Sequence, residues 1–285
     1  MSDRDFLRRS QLVTPGASEK MIAKALAVDC DSLVIDLEDA IPPGKKAEAR
    51  QILRNALSGA QARAKELGVR INGLDTPWCL DDLLALGGLQ IDTIVVPKVN
   101  CAEDIYTYDQ LMRQLEFRGA GKRLTLQPLI ETACALENAY SIARASTRVR
   151  SLIFGVGDFL ADTGMAFDAA LLMPVRSRVV TAAAAAGVQA IDHVHPVVAD
   201  LDGLARAARE AKALGFSGKW AIHPQQVEPI NSAFSPSSEE IEKARKTIEV
   251  YEAAQRAGQG AITLDGGLVD EAVLKIARRN LAMAR

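Results

Sequence analysis

Ionisable residues in this sequence stand where chemistry could use them. Acids gather at Asp36-Leu37-Glu38-Asp39, Glu131, Asp158 and Asp192, and Arg70 and Lys98 are the cations among them. Carboxylates brought together repel one another unless a cation or arginines compensate. Oxygen donors with few histidines suit a hard divalent ion such as Mg²⁺ rather than zinc. Arg70 and Lys98 suit an anionic substrate, because an arginine can grip a carboxylate through two parallel hydrogen bonds.

Such a set works only if the fold brings it together. Eight short apolar runs read as strands, at 11–15, 32–37, 69–72, 93–97, 124–130, 151–156, 188–192 and 219–222. Several are continuously apolar, as strands covered on both faces of a parallel sheet must be. Helical stretches lie between them, at 19–28 behind Ser18, at 45–67 before Gly68, and at 77–86, 102–118, 181–186 and 202–214. Serine is a favoured helix N-cap and glycine a favoured residue just past a helix end. Eight strands alternating with helices over this length predict a (β/α)8 TIM barrel, α/β in class. The rival doubly wound sheet lacks its GxGxxG after the first strand. A barrel domain is expected over 1–235. The remainder, 236–285, reads as a C-terminal helical extension, either a plain cap or a mobile lid. Ser235-Pro236-Ser237-Ser238-Glu239-Glu240 would open its first helix, to about Arg256. Glycines flank 261–264, Asp265-Gly266-Gly267 forms a turn, and a last helix starts near Val269.

Barrel active sites lie at the C-terminal ends of the strands. Asp36-Leu37-Glu38-Asp39, Lys98, Glu131, Asp158, Asp192-His193 and His223 fall at or just past predicted strand ends, and the third strand carries Arg70 and Asn72. Scattered surface charge would not track strand ends, so the sequence reads as an enzyme. Each residue also has a plainer reading. Glu131, Asp158 and Asp39 could pair with rim arginines, and Arg70 could be such a partner. Lys98 could be an ion-pair partner, since nearby acids raise a lysine's pKa and work against Schiff-base chemistry. His193 and His195 form HxH, which needs further ligands to make a zinc site.

The composition excludes several classes. The 285 residues carry 34 basic and 36 acidic side chains, for a net charge of −2, with 5% aromatics. No basic surplus or stacking platform points to nucleic acid, and no apolar run reads as a membrane span. The N-terminus lacks an apolar secretory segment. Cys30, Cys79, Cys101 and Cys134 are scattered without CxxC, which fits reduced thiols in a cytoplasmic protein.

Longer motifs then carry a resemblance. Residues 8–50, RRSQLVTPGASEKMIAKALAVDCDSLVIDLEDAIPPGKKAEAR, resemble the opening of the citrate lyase β-subunit-like family within the HpcH/HpaI aldolase superfamily. The likeness continues through Val69-Arg70-Ile71-Asn72, Pro97-Lys98, Ile130-Glu131-Thr132-Ala133 and Phe154-Gly155-Val156-Gly157-Asp158. It goes on through Gly218-Lys219-Trp220-Ala221-Ile222-His223-Pro224 and ends at Asp265-Gly266-Gly267-Leu268-Val269-Asp270. The resemblance implies a barrel with a C-terminal extension and a Mg²⁺-dependent enzyme that makes or cleaves a carbon–carbon bond between a CoA thioester and a 2-oxo acid. It implies Glu131 and Asp158 as metal ligands and Arg70 as the clamp on the 2-oxo acid. Asp36, Glu38 and Asp39 would hold the metal's waters or orient Arg70. Asp270 would reach a neighbouring subunit's site and is the candidate for proton transfer. Lys20 and Lys24 would meet CoA, with Arg9, Lys219 and His223 as further contacts. A homotrimer or hexamer is implied. Departures at Thr14, Gly157, Thr163, Ala272 and the His193-Val194-His195-Pro196 run bear on the substrate more than on the chemistry.

The implied reaction has stated needs. A cation must polarise the future carbonyl, a cationic group must hold the carboxylate, and a base must take the hydroxyl proton. The expected activity is cleavage of a citramalyl-, malyl- or citryl-type thioester. The alternatives are a malyl-CoA thioesterase, a citrate lyase β subunit working on a carrier-bound thioester, and a CoA-independent class II pyruvate aldolase. A dead scaffold fits least, with Glu131, Asp158 and Arg70 all present.

Overall fold

The eight apolar runs close into one parallel barrel in the computed structural model, which describes residues 6–58, 65–117, 123–256 and 258–284. Its strands are β1 (Ser10–Pro15), β2 (Ser32–Asp36), β3 (Glu66–Arg70), β4 (Thr93–Val96), β5 (Thr125–Ile130), β6 (Ser151–Phe154), β7 (Gln189–Asp192) and β8 (Gly218–Ala221). They pair in chain order, and β1 closes on β8 with Gln11 opposite Trp220.

Side chains alternate between the barrel interior and the helical layer, as the two-residue period of a strand requires. The middle of the interior is apolar, with Val34, Val95, Leu129, Ile153, Ile191 and Trp220 in one cluster and Val13 against it. Below it, at the N-terminal end, the interior is polar and closed. Arg8 grips Glu66 at 2.7 and 2.6 Å. Gln11 donates to Gln127 at 2.9 Å, Ser151 donates to Gln127 at 2.8 Å, and Ser32 donates to Glu66 at 3.0 Å. Buried polar groups that satisfy one another cost little and fix one arrangement.

The expected helix at 45–67 is corrected. The helix is Lys46–Leu57, residues 59–64 lie outside the described ones, and Glu66 to Gly68 belong to β3. A charged Glu66 disguises the strand, and its carboxylate is satisfied inside the barrel by Arg8, Ser32 and Gln127. Gly68 is not a helix terminator. A Cβ there would come within 2.8 Å of Thr93 Cγ2, so the residue is small because β4 passes close by. Ser18 has the extended backbone of an N-cap but makes no capping hydrogen bond with its side chain.

Other expected helices appear as Cys79–Ala85, Ala102–Phe117 and Leu201–Leu214, and the 181–186 stretch is the end of Ala169–Ala186. Arg118 and Gly119 lie outside the described residues. Short helices at Ala133–Glu137, Ala139–Arg144, Val156–Thr163 and Val227–Phe234 had no clear sequence signal. By length and composition alone the helix Ala169–Ala186 is apolar enough to cross a membrane. Here it covers the barrel. Leu172, Val175, Val179 and Ala183 are buried, and Arg176 reaches Asp192 on β7.

The chain divides into two compact units, 1–231 and 232–285, so the division falls four residues before the expected one. In the second unit, Ser237 and Glu240 cap each other's backbone at 3.1 and 2.7 Å and start the helix Ser238–Arg256. A hairpin follows, β9 (Ile262–Leu264) and β10 (Gly267–Val269), turning through Asp265 and Gly266. The last helix, Glu271–Ala282, starts two residues later than expected because Val269 is held in the hairpin. Tyr251, Val269 and Leu274 form the core of this unit.

Candidate active site

Asp36 ends β2 and faces Arg70 across the register with β3. Its carboxylate accepts Arg70 Nε and Nη2, each at 2.7 Å. The same carboxylate accepts the backbone N–H of Glu38 at 2.9 Å and of Ala40 at 3.2 Å, so it also shapes the turn that presents Glu38 and Asp39. Arg70 Nη1 then lies 2.9 Å from Glu38 Oε2 and 3.5 Å from Asp39 Oδ2. The guanidinium rests over the Trp220 ring, 5.7 Å from its centroid. Burial works against the charge on Arg70, but Asp36, Glu38 and Asp39 outweigh it and hold the group firmly protonated. Glu38 fares differently. Burial pushes its carboxyl up to about 8 against the pull of Arg70, with Asp39 and Glu131 adding to the rise. Its Oε2, though close to Arg70, makes no aligned hydrogen bond.

The backbone of this turn is pinned from behind. Lys46 Nζ donates to the carbonyls of Leu37 and Glu38 at 2.9 and 2.8 Å. Asn72 donates to Leu37 O at 3.0 Å and is itself held by buried Asp82. Sequence reasoning singled out neither Lys46 nor Asp82, and the nearest signal was the basic start of the helix after Pro42-Pro43.

Glu131 follows β5 and is buried. Its Oε1 accepts the backbone N–H of Lys98 at 2.7 Å. Gly155, at the end of β6, lies directly against it. A Cβ there would stand 2.6 Å from Glu131 Cβ, so only glycine fits. Asp158 sits in the first turn of the helix Val156–Thr163. Lys98 Nζ lies 2.5 Å from Asp158 and 3.6 Å from Glu131. Burial pushes Glu131 up to about 7, with Asp158 adding and the N–H and ammonium of Lys98 opposing. Burial alone would lower Lys98, but Asp158 and Glu131 hold it above its ordinary value. This agrees with an ion-pair lysine rather than a Schiff-base one.

No set of three His, Cys, Asp or Glu in ligand geometry occurs among the described residues. A two-carboxylate donor set still fits one hard ion, since Mg²⁺ keeps several waters and takes one or two protein carboxylates. The ammonium shared by Glu131 and Asp158 shows that a positive charge is favoured at that point.

The remaining predicted residues divide. Lys20 and Lys24 are exposed, four residues apart on the helix Glu19–Leu26, which follows the C-terminal end of β1. His223 follows β8 and its Nδ1 accepts the Gln225 N–H at 3.2 Å. Asp270 caps the last helix, accepting from Ala272 and Val273 at 3.0 and 3.1 Å.

Two expected CoA contacts are corrected. Arg9 precedes β1, so it stands at the opposite end of the barrel from the strand C-termini, and it is bound to Asp31 at 2.8 and 2.9 Å. Lys219 is 0% exposed and donates to Asp192 Oδ2 at 2.6 Å. Asp192 is corrected with it. Its carboxylate faces the helical layer, where Arg176 binds it at 3.0 Å twice. The signal was available: Trp220 and Ile191 occupy the interior, so their neighbours must face outward.

Fold and site together define a (β/α)8 barrel whose C-terminal rim is built around a carboxylate clamp and a point of favoured positive charge. The chain belongs to the HpcH/HpaI aldolase/citrate lyase family, whose model matches residues 9–224. It is 36% identical over 278 residues to a (3S)-malyl-CoA thioesterase of Cereibacter sphaeroides, covering 97% of this chain and 94% of the relative. It is 35% identical over 290 residues to an L-malyl-CoA/beta-methylmalyl-CoA lyase of Cereibacter sphaeroides, covering 94% and 91%. The crystal structure of CitE from Mycobacterium tuberculosis, in complex with magnesium, acetoacetate and coenzyme A, superposes with a TM-score of 0.77 at 31% identity. That match covers 96% of this chain and 97% of the other.

Proposed function

We propose that this protein is a Mg²⁺-dependent carbon–carbon lyase that cleaves a β-hydroxyacyl-CoA thioester of the citramalyl, malyl or citryl type. The products are an acyl-CoA, such as acetyl-CoA, and a 2-oxo acid. The observation that carries the reading is Arg70, locked to Asp36 on one edge, beside the Glu131–Asp158 pair.

Glu131 and Asp158 would hold the metal. When bound, Mg²⁺ supplies a Lewis acid that polarises the oxygen of the future carbonyl. Arg70 holds the carboxylate of the leaving oxo acid, and Asp36 and Trp220 keep its guanidinium in one orientation. Burial raises the Glu38 carboxyl to about 8, and a proton held there would limit the negative charge that meets the substrate carboxylate. Asp270, from the C-terminal unit of a neighbouring subunit, is assigned proton transfer at the substrate hydroxyl. Lys20 and Lys24 meet the CoA phosphates, and His223 stands at the same rim. A trimer or hexamer in the cytoplasm belongs to the same reading, which the family resemblance supports.

A thioesterase is the second reading. Near-equal identity to a thioesterase and to a lyase favours neither. In it, water attacks the thioester carbonyl and the free thiol of CoA leaves. The test is steady-state turnover of (S)-citramalyl-CoA, (S)-malyl-CoA and citryl-CoA with Mg²⁺ and with EDTA, following 2-oxo acid and free thiol. Mg²⁺-dependent oxo acid without thiol is expected. Thiol without oxo acid would establish the thioesterase. Silence on all three would turn the assignment to a carrier-bound thioester or a CoA-free aldolase.

A further inference from the structure

Lys98 stands between the two carboxylates assigned to the metal. Its Nζ is 2.5 Å from Asp158 Oδ1 and 3.6 Å from Glu131 Oε1, so one ammonium serves both. The three groups differ in freedom. The Glu131 side chain is 1% exposed, tied to a backbone N–H and backed by Gly155. The side chains of Lys98 and Asp158 are 30% and 41% exposed and have room to move. The Lys98 backbone adds a second observation. Its φ of 54° lies in the left-handed region, which glycine or asparagine would adopt at less cost. The chain accepts that cost at the residue whose N–H fixes Glu131 and whose side chain neutralises the pair.

An ammonium and a divalent cation cannot both occupy this point, because like charges at such distances repel strongly. We propose that Lys98 is a built-in competitor for the divalent cation: it neutralises Glu131 and Asp158 until the metal binds, and metal binding moves its ammonium outward. The inference rests on the reading of Glu131 and Asp158 as metal ligands. It assigns Lys98 two duties separated by its own backbone. The N–H orders a ligand in both states, and the side chain weakens metal binding. An ammonium moved off Asp158 remains at the rim, where an anionic substrate can take it as a counter-ion. Metal and substrate binding would then favour each other.

The test is Mn²⁺ affinity, read by calorimetry or water-proton relaxation on the full chain. It compares wild type with Lys98→Met and Lys98→Arg at one ionic strength. Lys98→Met keeps the backbone N–H and removes the charge, and it is expected to bind Mn²⁺ about tenfold more tightly or better. Lys98→Arg keeps a cation and is expected to bind as wild type does. Equal or weaker binding by Lys98→Met overturns the proposal, because it would make the side chain a support for the site. Thermal midpoints in EDTA check that each variant folds, and Lys98→Gln replaces Lys98→Met if that variant does not. A wild type that binds no Mn²⁺ would instead remove Glu131 and Asp158 as ligands, and the inference with them.

Discussion

Two sets of paired charge in the barrel, one wholly buried and one partly exposed, differ in whether they are complete. In the outer wall, Asp192 receives Arg176 twice and Lys219 once, and all three groups are buried between β7, β8 and the helix Ala169–Ala186. At the rim, Asp36, Glu38, Asp39, Glu131 and Asp158 share Arg70 and Lys98, and Glu38 keeps an oxygen without an aligned donor. Their responses to protons have opposite sign. Burial works against the charge on Asp192, yet Lys219, His193 and Arg176 hold its carboxyl down at about 2. Burial wins at the rim and pushes Glu131 to about 7 and Glu38 to about 8. A closed network serves the fold. An acid set short of positive charge destabilises its own fold and is completed by a ligand.

The largest expected effect sharpens that contrast at the rim. Glu131→Gln should lower Mg²⁺-dependent turnover at least as much as the loss of one oxyanion donor, about 10²–10³-fold. Its thermal midpoint in EDTA should not fall, since the change removes a buried charge. A clear drop in midpoint with activity retained would make the rim another structural network. The wall should answer the other way. Asp192→Ala leaves Arg176 and Lys219 buried without a carboxylate and should cost about 3–5 kcal/mol in denaturant unfolding. Turnover per folded molecule should hold. Activity lost at full stability would put Asp192 back among the rim acids.

Stability against pH compares the regions in one experiment. His193 has an ordinary value of 6.5, and burial brings it down to about 4 against the pull of Asp192. The unfolded chain therefore binds that proton first, and the wall loses stability as pH falls from 6.5 through 4. Asp192 continues the loss from 3.8 towards 2. The rim acids are raised instead. Glu131 and Glu38 lose protons more readily when unfolded, so the metal-free protein loses stability as pH rises from 4.5 through 7 and 8. Thermal midpoints in EDTA should peak between these limbs. His193→Gln should flatten the acid limb and Glu38→Gln the alkaline one. His193 is faced by Asp192, Lys219, Arg176 and the rings of Phe154 and Phe167, so its limb reports the wall. If Glu38→Gln flattened the acid limb, the division of the two regions would fail.

Much of this contrast was legible in the sequence, though not all of it. The eight strands were visible because continuous apolar runs such as Thr93 to Val96 have one physical use in an alternating chain. The strand-end acids were visible for the same reason. What failed was parity. Lys219 and Asp192 lie one residue from interior positions, and a shift of one residue along a strand exchanges the active-site rim for the helical layer. Strand β3 began late in the sequence reading because Glu66 looks like a helix surface residue until Arg8, 58 positions away, neutralises it. Long-range pairing of that kind leaves no local mark. The same holds for Lys46, whose role depends on two carbonyls of a turn folded back over it.

The smallest expected effect lies outside both networks, at Lys20 and Lys24. Both are exposed on one face of a single helix, and among the described residues no carboxylate forms an ion pair with either. Exposed charges contribute about 1 kcal/mol or less each, and salt screens them over about 10 Å at 0.1 M. Replacing both by alanine should raise KM for the CoA thioester several-fold at low ionic strength and leave KM for the free 2-oxo acid unchanged. The thermal midpoint should stay where it is. At about 1 M salt, where the screening length is about 3 Å, the variant and the wild type should converge. At the rim, Asp36, Arg70 and Glu131 are locked at short distance in a poorly screened interior, and the lysines act through field alone. A KM effect that persisted in high salt would therefore mean a locked contact, and the helix Glu19–Leu26 would then belong with the rim.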